Sequence, residues 1–188
     1  MSPPVPAVSN DHMPSQPSDP AGGLVREALA LYESNLIGYA TSLLGGDEQR
    51  ARDVVQDTLL KLYLADPDRV RENLKAWLYA VCRNRAFDVL RKEHRLTFTD
   101  DDDTLDWLDE WQPDPSDDAS REEMLEHVWR AVDQLPPNQR EVIRLKFQHG
   151  LSYKEISAAT GLSVTNVGFL LHTGIKRARK LMNRALSE

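Results

Sequence analysis

The feature that most limits what this chain can fold into is a run of acid placed just past its middle. Between Thr97 and Glu123 twelve Asp or Glu stand against one Arg, and Pro113 and Pro115 interrupt the run. Such a segment cannot bury enough apolar surface to offset its ordering entropy, so it reads as a linker. It divides the 188 residues into two pieces, each sized for one small core. Outside it, 18 acidic and 22 basic residues remain, so the net charge of −7 conceals two mildly basic folded parts. A tethered acid beside two basic surfaces is expected to compete with phosphates for them.

Periodicity within the pieces is helical. Residues 1–22 are rich in Pro, Ser and Asp without apolar periodicity and are expected to be a disordered tail. From Leu24 to Leu44 apolar residues recur at Leu24, Ala28, Leu31, Leu36, Tyr39, Ala40 and Leu43, with Gly45-Gly46 where a C-cap belongs. Asp47 is placed to N-cap a second helix, buried through Ala51, Val54, Val55, Leu59 and Leu62 and ended by Pro67. A third runs from about Asn73 to Arg95 on Leu74, Trp77, Leu78, Val81, Cys82, Val89 and Leu90. Cys82, the one cysteine, has no partner or ligand spacing around it and reads as a small core residue.

Beyond the linker, Leu125, Val128, Trp129, Val132 and Leu135 mark a fourth helix, and Pro137 opens a fifth through Val142, Ile143 and Phe147 that ends at Gly150. Ser152 and Glu155 form an S-x-x-E capping box, Gly161 closes that short helix, and Ser163 starts a last one reaching about Leu186. A short capped helix, a glycine turn and a second helix have the proportions of a helix-turn-helix. No segment alternates as a strand does. The expected fold is all-α: a three-helix-type bundle over 23–96, the acidic linker over 97–121, and a helix-turn-helix domain over 122–188.

Three surfaces carry chemistry. After the second helix of the helix-turn-helix, Lys176, Arg177, Arg179, Lys180 and Arg184 place five cations in nine residues with no acid among them, which suits phosphate contacts. On the third helix Arg83, Asn84, Phe87 and Arg91 share one side with Lys92 and Arg95 close by, a set suited to tracking a backbone and stacking a base. On the second, Asp53, Gln56, Asp57 and Leu60 follow i, i+3, i+4, i+7 spacing away from the apolar stripe; Leu60 among acids marks a protein contact.

Taken together, RDVVQDTLLKLY (52–63), LKAWLYAVCRNRAFDVLRK (74–92) and QLPPNQREVIRLKFQHGLSYKEISAATGLSVTNV (134–167) resemble the two-domain pattern of extracytoplasmic-function sigma factors. The resemblance implies a partner of core RNA polymerase, engaging its clamp helices and flap, that opens the minus-10 element with its first domain and reads the minus-35 element with its second. By position it assigns Asp53, Gln56, Asp57 and Leu60 to core binding, and Arg83, Asn84, Phe87, Arg91 and Lys92 to minus-10 DNA, with Asn84 lining the pocket of a flipped base. In the family the first exposed positions of the recognition helix commonly carry Arg or Lys, but here stand Gly168, Phe169 and Leu170. A bidentate guanine contact is missing there. Either minus-35 bases are then read by Thr165, Asn166 and His172 with Lys154 on the preceding helix, or the minus-35 sequence itself is unusual; Lys176, Arg177, Arg179 and Lys180 are expected on the phosphates. The resemblance also admits an anti-sigma factor as partner.

A conventional helix-turn-helix repressor or activator would explain the C-terminal half but not the faces of the second and third helices. An enzyme is not expected, since no nucleophile, base and orienter set exists. Four consecutive aspartates, Asp100 to Asp103, lack the spacing of a hard-cation loop, so neither a metal nor a cofactor is expected. No apolar run approaches bilayer length, and the N-terminus has no signal-peptide pattern, which together point to the cytoplasm without membrane insertion. Trp107, Leu108 and Trp111 are unusual for a spacer and are expected to pack on a neighbouring domain.

Overall fold

A computed structural model describes residues 19–97 and 121–185. The tail before Asp19 and the acidic stretch 98–120, with Trp107, Leu108 and Trp111, lie outside the described residues, as do the side chains of Arg95 and Arg184. The described chain runs α1 (Pro20–Leu43), α2 (Glu48–Leu64), α3 (Pro67–Arg71), α4 (Leu74–Thr97), α5 (Arg121–Asp133), α6 (Pro137–Ile143), α7 (Tyr153–Thr160) and α8 (Val164–Ala185). Among these residues there is no strand.

The N-terminal half is α1, α2 and α4 packed together, with α3 as a short turn beneath. The first helix starts at Pro20, earlier than periodicity implied, because Asp19 caps it: its Oδ1 accepts from the Gly22 N–H at 2.9 Å, and proline suits the first helical position. The end of the expected tail, 20–22, is therefore helical. Asp47 caps α2 as expected, accepting from Arg50 N–H at 3.0 Å. Pro67 does more than stop α2; with Asp66 as cap it begins α3. The core joins Leu24, Leu36, Tyr39, Val54, Leu62, Leu78, Tyr79 and Cys82. Burial pushes the Cys82 thiol up to about 12, which leaves it protonated and inert, a packing residue as expected.

The C-terminal half sets α5, α6 and α7 against α8. The capping box is complete: Ser152 N–H donates to Glu155 Oε2 at 2.7 Å and Glu155 N–H to Ser152 Oγ at 3.2 Å. Gly161 turns the chain at φ 76°, a left-handed conformation that glycine adopts without strain. Ile156, Ala159, Val167 and Leu171 lock α7 to α8. After Ile143 the α6 spiral widens into π-helical geometry over Arg144–Gln148, where His149 N–H reaches Arg144 O at 3.1 Å and Leu151 N–H reaches Leu145 O at 2.9 Å. Leu31, Leu125 and Phe147 fit the apolar periodicity yet are exposed by more than half, because no described helix covers the middle of α1, the start of α5 or that side of the π-helical turn.

The two halves close on each other, with α7 lying against α4. Lys75 Nζ donates to Gly150 O at 2.9 Å. The His149 ring inserts beside Tyr39 and Tyr79, with centroids 5.6 and 5.4 Å away. These contacts fix where the candidate surfaces lie.

Candidate nucleic-acid and polymerase interface

On α2 the expected face is present. Asp53 and Gln56 are exposed and Leu60 is 58% exposed. The uncovered strip extends further than the sequence suggested, since Tyr63 and Leu64, 50% and 75% exposed, continue it by another turn. Their spacing of ten and eleven residues from Asp53 was the available signal. Asp57 differs from the rest. Its Oδ2 accepts from Arg85 Nε at 2.6 Å, so it ties α2 to α4 as well as facing outward.

On α4 the five expected residues separate. Asn84, Arg91 and Lys92 are exposed, with Arg91 3.3 Å from Asp88 on its own helix. Arg83 is turned into the junction between the halves, its guanidinium 4.5 Å from the centre of the half-buried Phe87 ring. It forks onto Glu141, with Nε to Oε1 at 2.7 Å and a second nitrogen to Oε2 at 3.2 Å. Tyr39 Oη donates to the same Oε1 at 2.7 Å. The Glu141 side chain is 8% exposed and that of Arg83 21%, so this is a nearly dry ion pair joining α4 to α6. Burial alone lowers the Arg83 pKa, but the hydrogen bonds and charge of Glu141 outweigh it and leave the pKa raised. Burial likewise raises Tyr39 well above the ordinary phenol, with the neighbouring Glu141 charge adding to it.

Glu141 and His149 were missed by sequence reasoning. Positions 141, 145 and 149 form one buried row at four-residue spacing, and two of its three side chains are polar. That conflict of pattern was the sign of a polar junction. Beside it opens a cavity of about 530 Å³ lined by Arg83, Phe87, Leu90, Pro136, Arg140 and Leu170. Neither His149 ring nitrogen has a hydrogen-bond partner among the described residues, and burial, then the charges of Arg144 and Lys75, depress its pKa to about 4.

On α7 and α8 the expected residues Lys154, Thr165, Asn166, His172, Lys176, Arg177, Arg179 and Lys180 are all exposed. None of the four cations after His172 forms an ion pair with a described residue. Of the three departures in the recognition helix, Gly168 and Leu170 are half-buried while Phe169 is 63% exposed.

Two family models match this layout: Sigma-70 region 2 over residues 29–96 and Sigma-70 region 4 over 125–182. ECF RNA polymerase sigma factor EcfG of Rhodopseudomonas palustris is 31% identical over 164 residues, covering 86% of this chain and 84% of its own. The chain belongs to the extracytoplasmic-function sigma factors of RNA polymerase. Another member, SigM of Bacillus subtilis, is 27% identical over 87% of this chain and 98% of its own. The sigma factor RpoE of Bartonella quintana, solved in complex with the anti-sigma factor NepR, superposes with a TM-score of 0.63 at 26% identity, covering 84% of this chain and 96% of that one. Sigma factors are DNA-binding initiation factors that work with core RNA polymerase on promoter DNA, which sets aside the repressor reading and places the family outside the enzymes. No described helix of this sigma factor is long and apolar enough to cross a membrane.

Proposed function

We propose that this sigma factor acts in the cytoplasm and divides its work among four helices. The α2 face of Asp53, Gln56, Asp57 and Leu60, extended by Leu64, holds the clamp helices of core polymerase. On α4, Arg83, Arg91 and Lys92 hold the minus-10 backbone, Phe87 offers a stacking surface, and Asn84 takes a flipped base. On α7 and α8, Lys154, Thr165, Asn166 and His172 face minus-35 bases, and Lys176, Arg177, Arg179 and Lys180 hold phosphates. The halves 23–96 and 122–188 are the units that carry the two DNA elements. By analogy with the Bartonella quintana relative, an anti-sigma factor is a further partner.

The observation that carries the reading is the uncovered strip on α2, where Leu60 and Leu64 stand exposed beside acids on a helix whose opposite face is fully packed. Apolar side chains in that setting mark a protein contact. Asp53→Lys, chosen because Asp53 forms no ion pair with a described residue, is expected to abolish co-purification with core polymerase and run-off transcription while leaving helicity and Tm unchanged. Retained binding to core would place the contact elsewhere.

A further inference from the structure

We propose that Phe169 reads the minus-35 element by packing against a thymine methyl in the major groove, in place of the guanine-reading arginine that this helix lacks. The inference rests on α8 being the minus-35 helix and names what it selects. Thr165, Phe169, His172 and Lys176 follow i, i+4, i+7, i+11 spacing and are all exposed, so they form one face of α8. Phe169 lies in the middle of that face. Its neighbours in sequence cannot take that place: Leu170 lines the junction cavity, and Gly168, in van der Waals reach of the Tyr153 ring, has no side chain to offer. Lys176, Arg179 and Lys180 continue the face along α8 with positive charge, and Lys154 is exposed on the preceding helix. An aromatic centre with cations beside it fits a surface that is anionic at its edges and apolar at one point within. Among base edges in the major groove, the thymine methyl is that point.

The test uses holoenzyme and a promoter whose minus-35 element has been selected from a random library. Each thymine of that element is replaced in turn by deoxyuridine, which removes the methyl and keeps every hydrogen-bonding group. One replacement is expected to weaken promoter binding about fivefold or more. Phe169→Ala is expected to lose a similar factor and to become indifferent to that replacement, while Phe169→Leu retains part of it. Silence of every deoxyuridine, or sensitivity that survives Phe169→Ala, overturns the proposal. A joint Lys176→Ala and Arg177→Ala variant separates the two levels: if it leaves promoter binding intact, the placement of α8 on DNA fails, and with it the role of Phe169.

A different observation carries a second inference. We infer that Glu141 holds the free sigma factor shut and occupies Arg83 in place of a promoter phosphate. The fork that Arg83 makes to Glu141 is the geometry a guanidinium uses for a phosphate, so the two ligands exclude each other. Arg83 also covers the Phe87 ring in this arrangement, which removes a stacking surface along with a cation. This rests on the assignment of Arg83 to minus-10 DNA. The wild-type full chain is expected to bind a single-stranded oligonucleotide carrying the minus-10 element weakly in the absence of core. Glu141→Gln should expand the chain in small-angle scattering and tighten that binding about tenfold; Tyr39→Phe, which removes only one hydrogen bond to Glu141, should do the same to a lesser extent. A compact Glu141→Gln chain, or an expanded one with unchanged binding, overturns the inference. Arg83→Ala in the holoenzyme distinguishes the levels: normal minus-10 use there removes the DNA role of Arg83 itself, whatever the scattering shows.

Discussion

The two helices proposed to face DNA, α4 and α8, are both basic, yet they differ in what their charges already touch. On α4, Arg83 is held by Glu141, Arg85 by Asp57 and Arg91 by Asp88. On α8, Lys176, Arg177, Arg179 and Lys180 carry no ion pair to any described residue. Counting cations would make the helices equivalent. What separates them is pairing and, at Arg83, desolvation: a paired, half-buried arginine must give up one ligand to gain another, whereas an exposed lysine exchanges only counterions. The four cations of α8 are therefore unengaged by described residues in the closed molecule, whereas Arg83 on α4 is held.

The largest effect expected from that difference concerns salt. Replacing all four α8 cations by alanine should lower the slope of log K against log salt for promoter binding by roughly 3 to 4, close to one counterion per phosphate contact. Arg91→Ala, whose charge is already shared with Asp88, should change it by less than one such contact. Equal slopes for the two helices would erase the distinction.

A smaller effect is expected from pH, because the junction that occupies α4 also buries His149. The groups around this ring are Tyr39 from α1, Tyr79 and Lys75 from α4, and Arg144 from the π-helical turn, none of them anionic at neutral pH. Its pKa is about 4 when buried against 6.5 when free. A depressed folded-state pKa means the full contribution is present above pH 6.5 and is lost as pH falls from there toward 4. The slope is about 1.4 kcal/mol per pH unit, or about 3.5 kcal/mol over the whole window. Unfolding free energies measured by denaturant between pH 7 and pH 5 should fall accordingly, and a His149→Phe chain should lose that dependence. A flat wild-type profile would show the ring to be solvated.

The smallest effect belongs to local structure. Ser152→Ala removes one half of the capping box and should cost about 1 kcal/mol. Since α7 lies against α4, the loss should appear as a lower Tm for the single transition of both halves. If only part of the signal moved, the halves would be melting independently.

Much of this molecule was legible because its helix ends are written in local chemistry. Asp47, Ser152, Glu155 and Gly161 do at each terminus what their side chains or backbone freedom permit, wherever the helix later packs. Asp19 was overlooked because its cap precedes the first apolar repeat, although Pro20 beside it was a usable sign. Exposure was less legible. Leu31, Leu125 and Phe147 obey the same periodicity as buried neighbours, and only the placement of other helices decides which are covered. For the candidate site, exposed residues such as Asp53, Asn84 and Lys176 could be placed from helical spacing alone. The engagement of Arg83 could not, since Glu141 is 58 residues away and the pair exists only through the closing of two halves.

The π-helical turn bears on how freely such halves can be exchanged. It places one more residue between Ile143 and His149 than an α-helix would use for the same rise, and this rotates His149 and Gly150 toward Tyr39, Tyr79 and Lys75. Deleting one residue there would turn everything that follows by about 100° and carry the ring out of its slot. A C-terminal half taken from a homologue without this widening would keep its own fold and still fail to seat on this N-terminal half. Chimeras built at the linker would then be constitutively open, so the compatibility of parts is recorded in the pitch of one helical turn.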